Sequence, residues 1–484
     1  MKKCVSLLLA FLMLASLLTA CNPANSGSAA TQQIKLDPAA FETDKKIITV
    51  ADMPPNPFDP EAVKLYKDMG FTHWILTEDH VPMVENGVLN EDYKEAIRIL
   101  SDEGFEIWIR NMQNDPEYFQ LEAEKAGSNY GYQYTLAPRD ITDDFAEFPA
   151  VTGFYMMDEP FQVTKKDNPG TEDNESLHPA FDQLGKLVAW KNQYYPDAFW
   201  HVNHVGSGSW DHYPAGTTYA DFIDNYVETV LKKLEGGGRS ICMDNYPLPE
   251  GGGTIKEGFL HDVLVLAQAT KKYNETAAAD KQAMMGVCLQ TFQDVKLKLR
   301  DITSSSDVTL QMYTGMAAGA ELFEYFCYRS LDGVGLYGII DMTGEKRIYD
   351  YILEANQRAL PFQRVVLSFQ WQEMMVNHGS QSGVENIFDI VEDMVVDKSG
   401  VLSHIDSRYD AIVGCFKKDQ QDGYMVVNYT APDLNQTNMV TLTFDGCTTA
   451  LVYTEEGVEQ VDLVEGGLLR VTLDAGQAAF IIPA

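Results

Sequence analysis

Two adjacent carboxylic acids end an apolar run of this chain, in the segment GFYMMDEP at residues 153–160. The proline prevents a β-strand from continuing, so Asp158 and Glu159 are expected at a strand end. Neighbouring carboxyl groups repel each other's negative charge, which favours a proton on one of them at neutral pH. A protonated acid beside an ionised one is what general acid–base catalysis requires. Capping of the following helix is the simpler explanation for either acid alone.

Further hydrogen-bonding side chains end, or closely follow, other short apolar runs of the sequence. The candidates for ligand binding are Asp158, Arg110, Asn111, His201, Asn203, Trp210, Tyr246, Gln290, Glu324 and Tyr328, and Asp244 joins Glu159 as a candidate catalytic acid. Any one of them could be structural, because histidines and tyrosines on buried strands are often packing residues. Their convergence at the ends of so many runs predicts one polar site for a polyhydroxylated ligand.

Eight short apolar, β-branched or aromatic runs alternate with longer segments of helical period between residues 45 and 364. The runs lie at 47–51, 72–76, 105–109, 151–157, 199–205, 240–243, 286–292 and 322–328. This alternation is typical of parallel strands covered by helices, and eight repeats predict an α/β fold of the (β/α)8 TIM barrel type. The carboxyl ends of all eight strands then meet at one mouth, where we expect the polar residues of the run ends.

The last part of the chain has a different pattern, because short alternating runs follow one another without a helical period. They lie at 411–416, 423–428, 439–444, 450–453 and 478–482, with turn residues between them. Closely spaced strands of this kind predict an antiparallel β-sandwich. We therefore place an all-β C-terminal domain at residues 365–484, after a barrel domain at residues 45–364.

The first residues resemble an export signal rather than part of a folded domain. A basic start, MKK, precedes an apolar run that ends in LTAC at residues 18–21. That ending resembles the lipobox of bacterial lipoproteins, which implies a signal peptide over residues 1–20 and lipid attachment to Cys21. Residues 21–44 would form a flexible tether. The predicted location is extracytoplasmic, on the bacterial cell surface, with the lipid anchor as the contact with the membrane. An ordinary signal peptide with a cysteine near its cleavage site is the alternative.

The composition restricts the class of partner. The chain of 484 residues has 36 lysines and arginines against 71 aspartates and glutamates, a formal charge of −35. A field of that sign repels phosphate, so nucleic acid is not an expected partner. No cofactor and no metal site is predicted, because no cysteine pair has metal-ligand spacing and His201 and His204 fall on opposite faces of a strand. Cys415 and Cys447 could form a disulfide, which the sequence leaves open.

The segment at residues 153–160 resembles the fourth strand of TIM-barrel glycoside hydrolases, in which a glutamate just before proline is the acid/base. Shorter similarities lie in later parts of the chain, such as DNYP at residues 244–247 and LDAG at residues 473–476. The resemblance implies that Glu159 is the general acid. The retaining clan has a nucleophilic glutamate at the end of strand seven, whereas this chain has Gln290 there.

Asp244 is the predicted second carboxylate, at a separation suited to an inverting pair, roughly 6.5–9.5 Å from Glu159. Glu324 and Asp158 are the other candidates for that role. The adjacent acids 158 and 159 also resemble those of hexosaminidases in which the aspartate orients the acetamido group of the substrate. Such a mechanism needs no nucleophile from the protein.

The predicted function is therefore an exported, lipid-anchored glycoside hydrolase that cleaves an oligo- or polysaccharide. Trp210 and Tyr246 would supply aromatic faces for the C–H side of a sugar. A non-catalytic glycan-binding barrel is the alternative, because the same residues could bind a sugar without cleaving it and the fold alone does not decide between the two.

Overall fold

The structure is a computed structural model. It describes residues 35–85, 88–110, 145–160, 179–208, 216–331, 333, 335–383 and 385–484. Leu36–Ala484 form one compact unit. Among the described helices, none combines the length and the apolar character that crossing a bilayer requires.

Eight parallel strands form the central sheet. They are β1 (Ile48–Ala51), β2 (His73–Leu76), β3 (Glu106–Ile109), β4 (Val151–Asp158), β5 (Phe199–Val205), β6 (Arg239–Asp244), β7 (Ala283–Gln290) and β8 (Ala320–Phe326). Their order in the sheet is β1-β8-β7-β6-β5-β4-β3-β2. Every one of the eight predicted runs coincides with one of these strands, so the predicted TIM barrel is confirmed.

Helices cover the outside of this sheet, as the helical periods between the runs predict. They are α1 (Pro60–Asp68), α2 (Glu91–Asp102), α3 (Pro179–Tyr194), α4 (Tyr219–Thr229), α5 (Gly258–Asn274), α6 (Ser305–Ala317) and α7 (Tyr349–Val366). Their starts follow local chemistry. Asp59 accepts hydrogen bonds from the first backbone amides of α1, and Thr218 and Asp221 form a capping box at α4.

A tyrosine hydroxyl helps to close the barrel where the hydrogen-bonded sheet ends. Strands β1 and β2 share no continuous ladder, but the amide of Thr72 donates to the carbonyl of Thr49 at 3.0 Å. The hydroxyl of Tyr66, buried on α1, accepts from the amide of Ala51 at 2.9 Å and donates to the carbonyl of His73 at 3.0 Å. Backbone groups of both strands are thereby satisfied without a direct pair.

The barrel interior is filled by side chains of uneven size, which is how a closed sheet becomes a packed core. Trp108 stacks on Phe199 with ring centroids 4.9 Å apart. It fits because its neighbour on β4 is Gly153, where a Cβ would lie 2.7 Å from the indole. Gly286 on β7 leaves the same kind of space for Cys242, whose sulfur would be 2.8 Å from an added Cβ.

The C-terminal region is all-β and antiparallel, as predicted. Its strands are β9 (Gln370–Asn377), β10 (Leu402–Ser407), β11 (Ala411–Lys418), β12 (Gln421–Asn428), β13 (Asn438–Phe444), β14 (Thr449–Thr454), β15 (Gly457–Asp462), β16 (Leu468–Leu473) and β17 (Ala478–Pro483). A six-stranded sheet, β9-β11-β12-β17-β14-β15, and a three-stranded sheet, β10-β13-β16, enclose a second hydrophobic cluster. Cys415 is buried in that cluster and Cys447 lies beside it, and both are free thiols.

The β region packs directly on the barrel helices. The hydroxyl of Thr309 on α6 donates to the carbonyl of Gly476 at 2.6 Å, and Tyr313 donates to Glu455 at 2.9 Å. Arg358 on α7 forms an ion pair with the same Glu455 at 2.9 Å. One hydrophobic cluster contains residues of both parts. The division at residue 365 therefore stays a prediction, although the change from helix to strand falls between 366 and 370.

Candidate active site

Asp158, at the end of β4, is held by three hydrogen-bond donors at the mouth of the barrel. Arg110 donates to its Oδ2 at 2.9 Å, and the hydroxyl of Tyr155 and the amide of Asn203 donate to its Oδ1 at 2.8 and 3.3 Å. Arg110 also forms an ion pair with Asp52 at 2.8 Å and lies over the ring of Tyr155. The predicted residues Arg110, Asp158 and Asn203 thus meet in one network, whose geometry is fixed before any ligand binds.

Glu159 and Asp244 form a hydrogen-bonded carboxyl pair beside this network. Burial, the negative charges of Glu159 and Asp158, and the hydrogen bond that protonated Asp244 donates to Glu159 together raise the pKa of Asp244 well above its ordinary value. The hydroxyl of Tyr246 donates to Oδ2 of Asp244 at 3.3 Å. Two carboxyls in direct contact cannot both be ionised at neutral pH, so the pair shares a proton.

The distance between these two acids differs from the predicted one. Carboxyl groups joined by a hydrogen bond are much closer than the roughly 6.5–9.5 Å of an inverting pair, and closer than the roughly 5–5.5 Å of a retaining pair. Glu159 directly follows β4 and Asp244 ends β6, and these two strands flank β5 in the sheet. The two carboxyls of Glu159 and Asp244 are instead in direct contact, as in a pair of acids that shares one proton.

The backbone at Glu159 is strained. Its φ is +46°, in the left-handed region that side chains other than glycine rarely adopt. Its amide donates to the carbonyl of Asn203 at 2.8 Å, which holds the turn in place. Met53, directly after Asp52 at the end of β1, has a φ of +55°. Strain of this kind persists where the surroundings impose it, often at functional sites. Here it fixes the directions of the Glu159 and Asp52 side chains.

Beneath the mouth, His201 and Glu324 form a buried pair. Nε2 of His201 lies 3.1 Å from Glu324, and its Nδ1 lies 2.8 Å from the hydroxyl of Ser240. Burial lowers the pKa of His201 to about 3, and burial together with the charges of Asp52 and Asp158 raises the pKa of Glu324 well above its ordinary value. Burial therefore disfavours the charged form of both the imidazole and the carboxyl.

This pair supports the site rather than lining it. Glu324 is 1% exposed and His201 is fully buried, so neither offers a surface to a sugar. The hydroxyl of Tyr155 is hydrogen-bonded to Glu324 below and to Asp158 above. His201 and Glu324 were both predicted as substrate-binding residues, and the structure places them one layer deeper.

The stability of the variant Glu324→Gln, compared with that of the wild type at the same pH, is expected to increase as the pH rises. In the folded state the raised pKa keeps Glu324 protonated, whereas in the unfolded chain it ionises near pH ~4.3. The unfolded state therefore binds fewer protons above that pH, and the contribution of Glu324 to stability falls as the pH rises toward its folded pKa. Glutamine cannot ionise and escapes that loss.

Denaturant unfolding of the wild type and Glu324→Gln at acidic and mildly alkaline pH measures this difference. Glu95→Gln on α2, where the carboxylate forms a surface ion pair, is the matched control and should follow the wild type at both pH values. Parallel pH profiles for Glu324→Gln and the wild type would contradict the assigned protonation of Glu324.

Among the residues that the structure describes, one group has the donor types of a metal site. The ligand atoms of His201, Cys242 and Glu324 lie within 4.8 Å of one another, and all three residues are buried. Burial and the charges of Glu324 and Asp244 raise the pKa of the Cys242 thiol well above its ordinary value. An ion at this point would have to displace the protons that burial favours on the thiol and on the carboxyl.

Three other predicted residues have distinct positions. Gln290 is buried and accepts from the amide of Leu248 at 2.9 Å, and its amide donates to the carbonyl of Arg300 at 3.0 Å, so it orders two loops. Tyr246 is partly exposed and packs edge-on against Phe292. Tyr328 packs against Tyr66 between the sheet and the helices, with ring centroids 5.4 Å apart, and does not face the mouth.

Asn111 and Trp210 lie outside the described residues, as does Cys21. Sequence reasoning missed Asp52 and Tyr155. Asp52 directly follows the first predicted run, so the rule that selected the other strand ends could have found it. Tyr155 has no comparable signal, because a tyrosine inside a strand is usually a packing residue.

No protein-family model matches the chain, and no curated protein matches its sequence. Solved structures do have a similar fold. A catalytic mutant of the GH42 β-galactosidase Gan42B from G. stearothermophilus is 10% identical, with a TM-score of 0.53 over 91% of this chain and 98% of that one. Another structure of Gan42B has a TM-score of 0.51 at 11% identity, over 90% of this chain and 98% of that one. The β-galactosidase of Bacillus circulans sp. alkalophilus has a TM-score of 0.50 at 10% identity, over 91% and 99%.

These similarities extend over the barrel and the β region together. At such low identity they establish a shared fold, that of TIM-barrel glycoside hydrolases, and not a shared activity. The chemistry has to be inferred from the residues of the mouth.

Proposed function

We propose that this protein is a glycoside hydrolase in which Glu159 and Asp244 perform the acid–base chemistry. The observation that carries the proposal is the hydrogen-bonded pair of these two carboxyls at the carboxyl ends of the barrel strands. Glycosidic cleavage needs one carboxylic acid and usually one carboxylate, and a pair that shares one proton supplies both.

In this proposal Glu159 is the general acid. A sugar that enters between the two carboxyls replaces their mutual hydrogen bond. The proton that the pair shares, favoured on Asp244 in the free protein, passes to Glu159, which donates it to the glycosidic oxygen as the bond to the anomeric carbon breaks. Asp244 remains as the carboxylate, which the hydroxyl of Tyr246 stabilises through its hydrogen bond. Asp244 either removes a proton from the attacking water or attacks the anomeric carbon itself. The anomer of the first product distinguishes these routes.

Asp158 has a binding role in the same proposal. Its two oxygens already accept hydrogen bonds from three donors, which leaves it well placed to orient a sugar hydroxyl or acetamido group but poorly placed to deliver a proton. The buried Glu324, tied to His201, is too deep to act as the second carboxylate. Of the three candidates for that role, the geometry favours Asp244.

The test is hydrolysis of a broad panel of oligosaccharides and aryl glycosides by the purified protein. Because the three solved structures of similar fold are described as β-galactosidases, β-galactosides belong in the first panel. Release of sugar from at least one class is the expected result. Binding of several glycans without turnover of any would favour the alternative, a glycan-binding barrel without catalytic activity.

We further propose that the protein is exported and anchored through a lipid on Cys21. Support comes from the basic start, the apolar run and the LTAC sequence at residues 18–21. The anchor would place the barrel outside the cytoplasm, where polysaccharides are available, and it would be the contact of the protein with the membrane.

Cys21→Ala is expected to release the protein from membranes or to block its processing. One acyl chain anchors a protein only marginally, whereas two or more hold it stably, so loss of the modified cysteine removes the attachment. Membrane fractionation and mass spectrometry of the mature N-terminus measure both effects. Cys447→Ala, in the partly exposed turn after β13, is the control and should fractionate as the wild type does. A freely soluble, unmodified wild-type protein in cells would contradict the proposal.

A further inference from the structure

Two loops at the mouth of the barrel, residues 248–253 after β6 and residues 298–300 after β7, pair with each other. Pro249 and Leu299 form an antiparallel bridge, with backbone hydrogen bonds on either side of it at 2.6 and 3.1 Å. These two segments are a short antiparallel ladder, the loop pair. Its backbone groups satisfy each other, so the two loops are expected to move as one unit.

The loop pair is connected to the end of β6, where Asp244 and Tyr246 lie. Leu248 follows Tyr246 after one proline, and its amide donates to Oε1 of Gln290 at 2.9 Å. Nε2 of Gln290 donates to the carbonyl of Arg300 at 3.0 Å. Tyr246 in turn donates its hydroxyl to Asp244 at 3.3 Å. A displacement of the loop pair would therefore move Tyr246 and disturb its hydrogen bond to the proposed second carboxylate.

A carboxylate of the β region reaches this loop pair. Asp433 lies in the short 3₁₀ turn Pro432–Leu434, between β12 and β13. Its Oδ2 accepts a hydrogen bond from the amide of Gly253 at 2.7 Å, and its Oδ1 lies 3.7 Å from the guanidinium of Arg300. The ion pair adds little at that distance, because the carboxylate is 29% exposed. The bond from the amide to a charged acceptor is the stronger contact.

The other segment of the loop pair is held by the barrel itself. The guanidinium of Arg300 forms two hydrogen bonds with Asp307 on α6, at 2.6 and 3.0 Å. Asp307 is fully buried, so this contact is well shielded from solvent. Residues 298–300 are thus fixed independently of the β region, and Asp433 acts mainly on residues 248–253 through Gly253.

A run of glycines allows the carboxylate to approach so closely. Gly251, Gly252 and Gly253 have φ angles of +99°, +66° and +73°, all in the left-handed region. A Cβ on Gly252 would lie 2.2 Å from Oδ2 of Asp433, whereas a Cβ on Gly251 would meet no atom within 4 Å. Substitution of these two neighbours therefore introduces backbone strain in both cases but a clash with Asp433 in one.

We propose that Asp433 of the β region is a positioning residue for the proposed hydrolysis. By binding the loop after β6, it holds Tyr246 and Asp244 in the arrangement that the reaction uses. Asp433 acts through these residues and is not itself catalytic. The catalytic consequence rests on the proposed function, whereas the contact can be measured without a substrate.

Hydrogen exchange of the full protein, followed by mass spectrometry of peptides that cover residues 245–253, measures the contact. Asp433→Ala should accelerate exchange there roughly tenfold, because a backbone amide loses its bond to a charged acceptor. Asp433→Asn keeps an acceptor for that amide and should restore most of the protection. Asp445→Ala, which removes a hydrogen bond to Ser403 inside the β region, is the matched control and should exchange as the wild type does.

A second pair of variants tests the contact from the side of the loop. Gly252→Ala should accelerate exchange as much as Asp433→Ala does, because the added Cβ displaces the carboxylate. Gly251→Ala has backbone strain without that clash and should have a smaller effect. In the Asp433→Ala background, Gly252→Ala should add less than it does in the wild type, since both substitutions remove the same contact.

The effect on catalysis is measured with a glycoside that the wild type hydrolyses. Asp433→Ala should lower kcat roughly three- to tenfold, as expected for the loss of one hydrogen bond, and Asp433→Asn should restore it. KM should stay nearly unchanged, because the network around Asp158 that would bind the sugar lies on β3, β4 and β5. Equal melting curves exclude a loss of folded protein as the cause.

Two results would overturn the proposal. They are unchanged exchange over residues 245–253 in Asp433→Ala, and accelerated exchange with a kcat equal to that of the wild type. Because exchange needs no substrate, its outcome is independent of the proposed function. A wild type that hydrolyses no glycoside would contradict the proposed function, and accelerated exchange would then still support Asp433 as the residue that positions Tyr246 at the mouth.

Discussion

Glu159→Gln is expected to abolish hydrolysis of natural glycosides while sugar binding stays nearly intact. Glutamine keeps the shape of the side chain and can still bond to Asp244, but it has no proton to give to the leaving oxygen. Loss of a general acid costs on the order of 10²–10⁴ in rate. The loss should be largest for substrates with poor leaving groups, because aryl glycosides with acidic phenols need less protonation. Rates with both substrate types, and affinities by calorimetry, measure this pattern.

Asp244→Asn should be comparably damaging if Asp244 is the second carboxylate. The loss should then extend to aryl glycosides with good leaving groups, because a second carboxylate acts at the anomeric carbon and not on the leaving oxygen. Glu324→Gln is the matched control, since that buried carboxyl lies below the mouth and glutamine preserves its shape. Full activity in Glu159→Gln would contradict the assignment of the general acid. A severe loss in Glu324→Gln with an intact fold would reinstate Glu324 as a catalytic candidate.

The barrel could be predicted from sequence because buried parallel strands are nearly continuous apolar runs. The β2 strand has the sequence HWIL and lies between α1 and α2, and β3 has EIWI and follows α2. Both helices have a clear apolar stripe. The alternation of side chains along a strand also predicted correctly that His201 and His204 lie on opposite faces of β5. His201 points into the barrel, whereas His204 packs on Tyr226 of α4 with ring centroids 4.3 Å apart.

The faces on β4 could not be predicted in this way. Strict alternation from the inward-facing Tyr155 would turn Asp158 outward. The structure has a register shift between Tyr155 and Met157, where two residues of β4 oppose one step of β5. Met156 and Met157 both pack in the outer layer, and Asp158 returns to the mouth. An apolar run contains no signal for such a bulge.

The sequence also did not predict how deep each side chain lies within the barrel. Glu324 and Gln290 both belong to predicted strands near the mouth, yet one supports a buried histidine and the other binds loop backbone. How far each strand extends past its neighbour decides which layer a side chain enters, and that stagger is a property of the closed sheet. The strands β9, β10 and β15 were missed for a different reason, since their many charged and polar residues hide the alternation. The strand β16 was also missed, although its sequence LLRVTL does alternate.

Gly414→Ala is expected to destabilise the whole protein severely. Gly414 on β11 lies against the end of α6, where an added Cβ would be 1.8 Å from the carbonyl oxygen of Ala317 and 2.6 Å from its carbonyl carbon. Both atoms belong to backbone, so no side chain can move aside. The helix and the strand would have to separate across a shared hydrophobic cluster. Overpacking costs typically 1–3 kcal/mol, and we expect a loss of about 3 kcal/mol or more here.

Denaturant unfolding, followed by near-ultraviolet circular dichroism, measures that loss against the wild type. Gly185→Ala on α3 is the matched control, because an added Cβ there meets no atom within 4 Å. Alanine is the better helix former, so this control should be neutral or more stable by about 0.5–1 kcal/mol. A stability of Gly414→Ala equal to that of the wild type would mean that the barrel and the β region can part at this contact without cost. Because the β region covers α6 across this same contact, such a result would also favour two independently stable domains over one cooperative unit.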